Sequence, residues 1–437
     1  MNALYNNRTA CEITKSMSTK NNRWIWYLFP SNVATQGLST VIPLYVIFLG
    51  GSIGEIAIIV ALQNASSAFG SIFWGKIIDR FHVRQGVLLV SFFVVTVCSL
   101  LMYFTNSINV LYAISPLLGF FLVGKNPVAQ LLVMESIHKN QWRWLFARTS
   151  IIGTFGMLVA MIIGAIGSVY FDLKPYFLIC AASCVATMGL SMAIKESQFH
   201  LERSSIAHSI HGLRYVFSQF HFEFPRIPEL HDYKHIITIF KGRVTDEIGI
   251  FYITNFLFYL GSNIYFTAFT PFLKNYGFSN SNVFLIYLIQ TAVMILVFFL
   301  APQFISKTGE ERSISLSYVP RIAAVLIAGL FIPITIGQGS FAVAIISASL
   351  MVIAFSIFST ASSIIFFKSI PQGFEGKYLG VNSSITTVGL FIGALCTGQL
   401  ANSFGYTIAY AVASGFLVAS FALFRIYLRY RLSDKMD

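Results

Sequence analysis

One ammonium group lies deep inside an apolar stretch of this sequence. Lys125 stands in the run Gly124-Lys-Asn-Pro127, with long apolar segments on both sides. A charge in hydrocarbon costs on the order of 3 kcal/mol on insertion-based scales, so it must face water, a partner or a ligand. Two interpretations of Lys125 remain open: contact with an anionic or carbonyl-bearing substrate, or snorkelling towards the membrane surface. Pro127 is expected to bend the helix because it frees a backbone carbonyl.

Two stripes of polar side chains interrupt other apolar segments at helical spacing. The first is Asn32, Gln36, Ser39 and Thr40, and the second is Asn255, Tyr259, Ser262, Asn263 and Thr267. Each stripe occupies one face of a helix, and Gln63, Asn64 and Gln290 are further polar residues inside spans. Such residues either contact a substrate in a water-filled path or only hydrogen-bond neighbouring helices.

The elements that position these residues are predicted to be membrane helices. Of 437 residues, 56% are hydrophobic and 11% are charged, and the mean hydropathy is +0.72. The apolar runs are continuous, long enough to cross a bilayer, and must be helical because lipid cannot satisfy backbone polar groups. We count twelve such runs and predict an all-α polytopic membrane protein with the lipid bilayer as its surroundings. The first run is interpreted as an anchor and not as a removed signal peptide.

The distribution of positive charge predicts the orientation. Of 29 Lys and Arg, only Lys174 and Lys274 follow odd-numbered spans, and Lys125 and Arg321 lie within spans. The other 25 lie at the termini or after even-numbered spans. The positive-inside rule therefore predicts that both termini are cytoplasmic, in a multi-pass protein of the cell (plasma) membrane. The net charge of +12 is therefore a topological signal, and we expect no nucleic-acid partner.

The spans divide into two groups of six around a charged central segment. The predicted organisation is a cytoplasmic tail (1–23), a six-helix half (24–194), a cytoplasmic linker with an amphipathic helix beginning near Ser204 (195–247), a second six-helix half (248–428) and a tail (429–437). An offset of 227 residues aligns the two halves and places Gln63 on Gln290 and Asn32 on Tyr259. Pseudo-symmetric halves are typical of transporters whose substrate site lies at the interface between the repeats.

A charged hairpin, Gly75-Lys-Ile-Ile-Asp-Arg-Phe-His-Val-Arg84, joins the second and third spans. Its glycine, its Asp-Arg pair four residues later and its further Arg resemble the cytoplasmic motif of major facilitator superfamily transporters, in the form found in drug exporters. His82 and Gln85 depart from that motif, which usually has glycine and a basic residue there. The offset places Ser306 at the position of Asp79, so the second copy is degenerate.

The resemblance implies a conformational latch and a central cavity. In the family, the hairpin carboxylate lies near the start of helix 11 and the basic residues pair with an acid at the end of helix 4. The corresponding residues here are Gly75, Asp79, Arg80, Arg84 and Glu135, with the segment Gly376–Asn382 as the start of helix 11. The alternative is that these charges only fix topology. Because family helices 1, 4, 7 and 10 line the cavity, the predicted substrate path comprises Asn32, Gln36, Lys125, Asn255, Tyr259 and Asn263. It also includes Gln63 and Gln290, the polar residues inside the second and eighth spans. The ninth helix is peripheral in the family, so Arg321 is expected to snorkel.

These features predict a secondary carrier that moves a small solute by alternating access, with export preferred over import. The first interpretation of Lys125 makes that solute anionic or carbonyl-bearing. The alternative is a transporter-like receptor or scaffold that does not translocate. The sequence contains none of the enzyme motifs His-Glu-x-x-His, Gly-x-x-x-x-Gly-Lys or Gly-x-Ser-x-Gly. Its cysteines and histidines lack metal-ligand spacing, so we expect no enzyme activity, cofactor or metal, and a monomer. No acidic residue lies in the middle of a span. Three possibilities for the energetics of transport therefore stay open: ion coupling through Lys125, coupling through the solute's own charge, and diffusion without coupling.

Overall fold

The computed structural model describes residues 22–81, 83–136, 142–170, 172–194, 247–335, 337–369 and 375–433. The predicted amphipathic helix near Ser204 lies outside the described residues, as do both extreme termini. The division into tails, halves and linker therefore stays a prediction.

The described residues form helices and contain no strand. A short 3-10 helix, Asn22–Tyr27, leads into the first span, and the helices are numbered by span, with the fourth span in two pieces. They are α1 (Leu28–Phe48), α2 (Ile53–Phe81), α3 (Arg84–Phe104), α4a (Ile108–Leu122), α4b (Lys125–Ser136), α5 (Trp142–Tyr170), α6 (Pro175–Ser191), α7 (Glu247–Asn275), α8 (Asn280–Thr308), α9 (Glu310–Phe331), α10 (Gln338–Ser369), α11 (Glu375–Phe404) and α12 (Tyr406–Ser433).

Most of these helices are long and apolar enough to cross a membrane. Nine of the described spans meet that condition by length and composition, with α4a and α4b taken as one span, and α6 is apolar but shorter. The remaining two, α1 and α7, carry the polar stripes, whose side chains lower the mean hydropathy of those helices. Large apolar side chains such as Phe93, Phe299 and Val319 are exposed on the outside, as expected of a surface that faces lipid.

The helices pack as two bundles. In the first, α1 contacts α5 and α6, while α3 contacts α4a and α6; in the second, α7 packs on α11 and α12, while α9 packs on α10 and α12. The two bundles meet mainly through α2 against α11 and α5 against α8. Because an offset of six helices converts one of these pairs into the other, the interface has the pseudo-symmetry that the sequence predicts.

The bundle has two ends, named here the terminal face and the opposite face. The terminal face is the end at which α1, α5, α7 and α11 begin and α4b and α10 end, and the opposite face is the other end. Near the opposite face the bundles approach closely. Gly398 of α11 lies against Ala57 of α2, and Gly164 of α5 lies against the ring of Phe284 of α8. These contacts seal the described conformation on the opposite face.

The fourth span breaks where the sequence predicts a bend. Pro127 has no N–H to donate to the carbonyl of Val123, four residues earlier, and its ring crowds that carbonyl. The chain responds with tighter turns: the N–H of Gly124 donates to Phe121 O (3.2 Å) and the N–H of Asn126 donates to Val123 O (3.1 Å). Lys125 is consequently the first residue of the new helix.

Candidate solute path

A cavity of about 320 Å³ lies between the two bundles, in the part of the molecule nearer the terminal face. Its walls come from α1, α4b and α5 of the first bundle and from α7, α10 and α11 of the second. The lining residues are Leu28, Asn126, Ala129, Gln130, Phe146, Thr149, Ser150, Phe251, Asn255, Tyr259, Ser359, Ser362, Ser363, Phe366, Phe367, Asn382, Ser383 and Thr386. The volume is at the lower end of the range for pockets that hold small organic ligands.

The described lining combines polar and apolar side chains and includes no charged residue. Hydroxyl and amide side chains make up twelve of its eighteen residues. Several hydroxyls bond to their own helix, as Thr386 Oγ1 does to Asn382 O (2.9 Å). Asn255 Nδ2 donates to Asn382 Oδ1 (3.4 Å), whereas the buried Oδ1 of Asn255 has no donor among the described residues. A buried acceptor without a donor is unfavourable, so Asn255 is suited to receive a hydrogen bond from a solute.

Lys125 is held inside the first bundle by neutral acceptors on α1. Its Nζ donates to Thr35 Oγ1 (2.7 Å) and to Asn32 Oδ1 (3.2 Å). Asn32 is fixed in turn, because its Nδ2 donates to Leu28 O (2.7 Å). The acceptors lie about 6 and 10 Å further into α1 than Leu28, at the helical rise of ~1.5 Å per residue. The ammonium is therefore bonded to α1 inside the first bundle, and its contact with a solute stays a prediction.

Arg321 is the second interior cation, and the prediction that it snorkels is wrong. The side chain is 1% exposed and lies between α7, α9 and α10. Its Nε donates to Ser262 Oγ (3.0 Å) and its Nη1 donates to Met351 O (2.9 Å), while the guanidinium stacks over Phe258 at 4.6 Å. The residue is eleven positions from the start of α9, or about 16 Å along the helix, so its side chain cannot reach either face.

The two cations bind equivalent positions of the sequence repeat. Thr35, which accepts from Lys125, is 227 residues before Ser262, which accepts from Arg321. Tyr259, which lines the cavity and lies near Arg321, corresponds in the same way to Asn32. Each bundle thus contains one cation bonded to a hydroxyl on α1 or on α7, the helices with the polar stripes. The sequence alone did not reveal this pairing, because the cations come from helices that are not equivalent.

The structure gathers only part of the predicted substrate path around the cavity. Asn255 and Tyr259 line it, while Asn32 and Lys125 form the network beside it. Asn263 is buried, and its Nδ2 donates to Leu390 O (2.5 Å). Gln290 is also buried, whereas Gln36 and Gln63 are half-buried, and these four residues lie outside the described lining.

Sequence reasoning missed most of the second bundle's contribution. Serines 359, 362 and 363 of α10 and residues Asn382, Ser383 and Thr386 of α11 line the cavity. The signal was present as a cluster of hydroxyls along Ser356–Ser363. It was weak because a helical Ser or Thr can bond the carbonyl three or four residues earlier, and so need not face a cavity.

The hairpin is only partly described. Gly75 is buried near the end of α2, and Arg84, the first residue of α3, is 6% exposed. The extensive packing of α2 on α11 puts the two helices of the expected latch side by side. The side chains of Asp79, Arg80 and Glu135 lie outside the described residues, so the latch stays a prediction.

The family model of the Major Facilitator Superfamily matches residues 25–334 and 251–435. The chain belongs to the Major Facilitator Superfamily. This confirms the resemblance that the hairpin carries.

Among curated proteins, the chain is 28% identical over 193 residues to the multidrug resistance protein MdtG of Serratia proteamaculans (strain 568), covering 42% of this chain and 46% of that protein. A similar match, 28% over 192 residues, exists to MdtG of Yersinia enterocolitica. The chain therefore spans about half the length of the curated relatives that it matches.

Two solved structures show the same fold at low identity. The nucleoside transporter NupG aligns with a TM-score of 0.66 and 14% identity, covering 93% of this chain and 98% of that one. A D-xylose-proton symporter aligns with a TM-score of 0.67 and 14% identity, covering 92% of this chain and 95% of that one. The twelve-helix fold of two pseudo-symmetric halves is thereby confirmed.

Proposed function

We propose that this chain is a secondary carrier that moves a small solute across a membrane by alternating access, and that it is not an enzyme. The observation that carries the proposal is the polar cavity between two pseudo-symmetric bundles, closed by glycine contacts on the opposite face. An interface between repeats is where rocking transporters bind their substrates. Family membership supports the same function.

The membrane, the orientation and the direction of transport are proposed from the sequence and from the relatives. The protein is proposed to lie in the plasma membrane, with both termini on the cytoplasmic side according to the positive-inside rule. The terminal face is then the cytoplasmic face. The carrier acts as a monomer and without nucleic acid. Export is preferred because the hairpin has the drug-exporter form and the curated relatives are named multidrug resistance proteins.

Lys125 is proposed to contact an anionic or carbonyl oxygen of the solute. Its ammonium has three N–H groups, two of which donate to the neutral acceptors Asn32 and Thr35. The side chain is half-buried, and the next residue, Asn126, lines the cavity. A solute oxygen can therefore replace or supplement these acceptors without breaking an ion pair. Gln36, Gln63, Asn263 and Gln290 are proposed to join the path in other stages of the cycle.

The hairpin is proposed to act as a latch that stabilises the state closed to the cytoplasm. Gly75 lies within the last two turns of α2, Asp79 meets the start of α11, where exposed N–H groups favour an anion, and Arg80 and Arg84 pair with Glu135. The close packing of α2 on α11 supports this arrangement.

Solute flux into proteoliposomes tests the proposal. The purified carrier should move at least one solute from a panel of anions, sugars, amino acids and hydrophobic cations. Binding without flux would favour the alternative of a receptor, and release of a modified product would favour an enzyme. Lys125→Met should reduce flux of the identified solute, and an unaltered rate would remove Lys125 from the path. Asn109→Ala, at an exposed position of α4a, is the control.

A further inference from the structure

We infer that the middle of the solute path is electropositive and that the solute is a small organic anion, one that carries a carboxylate or a phosphate. Lys125 provides one cation from the first bundle, and Arg321, which has no assigned role, provides another from the second. The identity of the solute rests on the proposed function, whereas the electropositive potential does not.

Charge is distributed unevenly along the described helices. The acids of the described helices, Glu55, Asp79, Glu135, Glu247, Glu310, Glu311 and Glu375, all lie within three residues of a helix end. Lys125 and Arg321 lie far from the ends of their spans and bond only to neutral oxygens of described residues. The interior of the described bundle therefore carries positive charge that no carboxylate offsets.

The two cations lie close to the cavity, one in each bundle. They bond to Thr35 on α1 and to Ser262 on α7, which are equivalent positions of the repeat. Lys125 precedes the lining residue Asn126, and Arg321 lies behind the lining residue Tyr259. The cations thus flank the path from both sides, Lys125 at its edge and Arg321 one layer behind it.

This distribution of charge has an energetic consequence for a solute. Charges interact strongly across a protein interior of low effective dielectric constant, and an unpaired charge is costly inside a membrane protein. An organic cation would lose hydration and meet repulsion from both sides. An anion would lose hydration too, but the two cations would offset that loss, and hydroxyl and amide groups of the lining could donate to its oxygens. Rings such as Phe366 and Phe367 are suited to the apolar part of such a solute.

Arg321 is a positioning and charge-selectivity residue in this interpretation, because it is buried and cannot touch the solute. It holds Ser262 and approaches the cavity through Tyr259. A purely structural arginine would bridge α7, α9 and α10 without affecting which charge enters the cavity. The two roles are separated by a measurement of the potential inside the cavity.

The experiment uses charged thiol reagents, so it needs no known substrate. A cysteine replaces Ser359, a half-buried lining residue of α10, in a background with Cys11→Ala and Cys396→Ala. A second cysteine at Ser107, exposed in the loop before α4a, is the reference. The modification rates are measured with a sulfonate-bearing and a trimethylammonium-bearing methanethiosulfonate. The sulfonate-to-ammonium rate ratio at 359 should exceed that at 107 by about tenfold, the combined effect of two interior charges at moderate distance.

Charge variants then assign the effect. Lys125→Gln and Arg321→Gln should each lower the ratio at 359 by about threefold, while Arg321→Lys, which keeps the charge, should retain it. Dividing one rate by the other cancels changes in thiol reactivity and in general access. Equal ratios at 359 and 107 would overturn the inference, and this comparison does not depend on whether any charge variant folds. Equal effects of Arg321→Gln and Arg321→Lys would reject the role of Arg321.

The outcome is distinguishable from failure of the carrier proposal. A high ratio in a protein that shows no flux would reject the carrier and keep the electropositive cavity. Flux of an organic cation, or a ratio at the reference value in a protein that shows flux, would reject the anionic solute and keep the carrier.

Discussion

Replacing Gly398 by alanine should shift the protein away from the conformation that is closed on the opposite face. Gly398 belongs to α11 and its neighbour Ala57 belongs to α2, so the contact joins the two bundles. A Cβ built on Gly398 would lie 2.7 Å from the Cβ of Ala57. Neither atom can move by a rotamer change, because both are fixed to a helix backbone. The helices must separate instead.

The size of the effect follows from the shortfall in distance. Carbon atoms pack best at about 3.5–4.0 Å, so the bundles must move apart by about 1 Å at this point. Overpacking of this kind typically destabilises by about 1–3 kcal/mol. The penalty falls only on the state in which the helices touch, so the equilibrium should shift about 5- to 150-fold towards the state open on the opposite face.

Distances between spin labels at Asn109 and Asn282 measure this shift. Both residues are exposed near the opposite face, one on α4a and the other on α8. Gly398→Ala should move population from the shorter to the longer distance in double electron-electron resonance. Gly167→Ala is the matched control, because a Cβ there would have no neighbour within 4 Å, while the gain in helix propensity of about 1 kcal/mol is the same. Superimposable distributions for the two variants would refute the reasoning.

Three further substitutions test other parts of the structure. Asp79→Asn should reduce transport far more than Ser306→Ala, since only the first copy of the hairpin carries an acid; equal effects in the flux assay would contradict the latch. Asn263→Ala removes the hydrogen bond to Leu390 O (2.5 Å) between α7 and α11 and should lower the free energy of unfolding by about 1 kcal/mol. The melting temperature in detergent measures this loss, and a value equal to that of Asn109→Ala would mean that the bond adds nothing. Tyr45→Phe keeps the packing on Phe177 but deletes the hydrogen bond from the phenol to Thr105 O (2.6 Å). It should also cost about 1 kcal/mol, with Tyr170→Phe, at an exposed position, as the neutral comparison.

The sequence was sufficient for the architecture because hydrocarbon permits so few solutions. A long apolar run must be helical, the repeat requires two similar halves, and the missing N–H of Pro127 places the break in the fourth span. Each of these features depends on covalent chemistry or on the lipid environment and not on the tertiary packing. That is why the helices and their grouping into two halves could be anticipated, whereas the packing of α5 on α8 was learned only from the structure.

The path was harder to predict because two different environments impose the same requirement on a polar side chain. Asn255 and Asn263 stand two turns apart on one face of α7, yet one lines the cavity and the other bonds to Leu390 O. Both satisfy the rule that a polar group in a membrane needs a partner, and only the positions of α10 and α11 decide which partner it finds. The error at Arg321 had a different cause. The residue lies at the centre of α9, and its distance from both helix ends already argued against snorkelling.

The repeat conserves positions of contact more closely than the residues that fill them. Ala57 and Phe284, which form the seal with Gly398 and Gly164, are 227 residues apart, as are Thr35 and Ser262 at the cations. The two cations at these positions differ in how freely they can move during a transport cycle. Arg321 is enclosed by α7, α9 and α10 and moves with the second bundle, whereas Lys125 is half-buried beside a break in its helix. Of the two cations, Lys125 can therefore exchange its acceptors as the bundles rock, while Arg321 supplies a constant charge behind Tyr259.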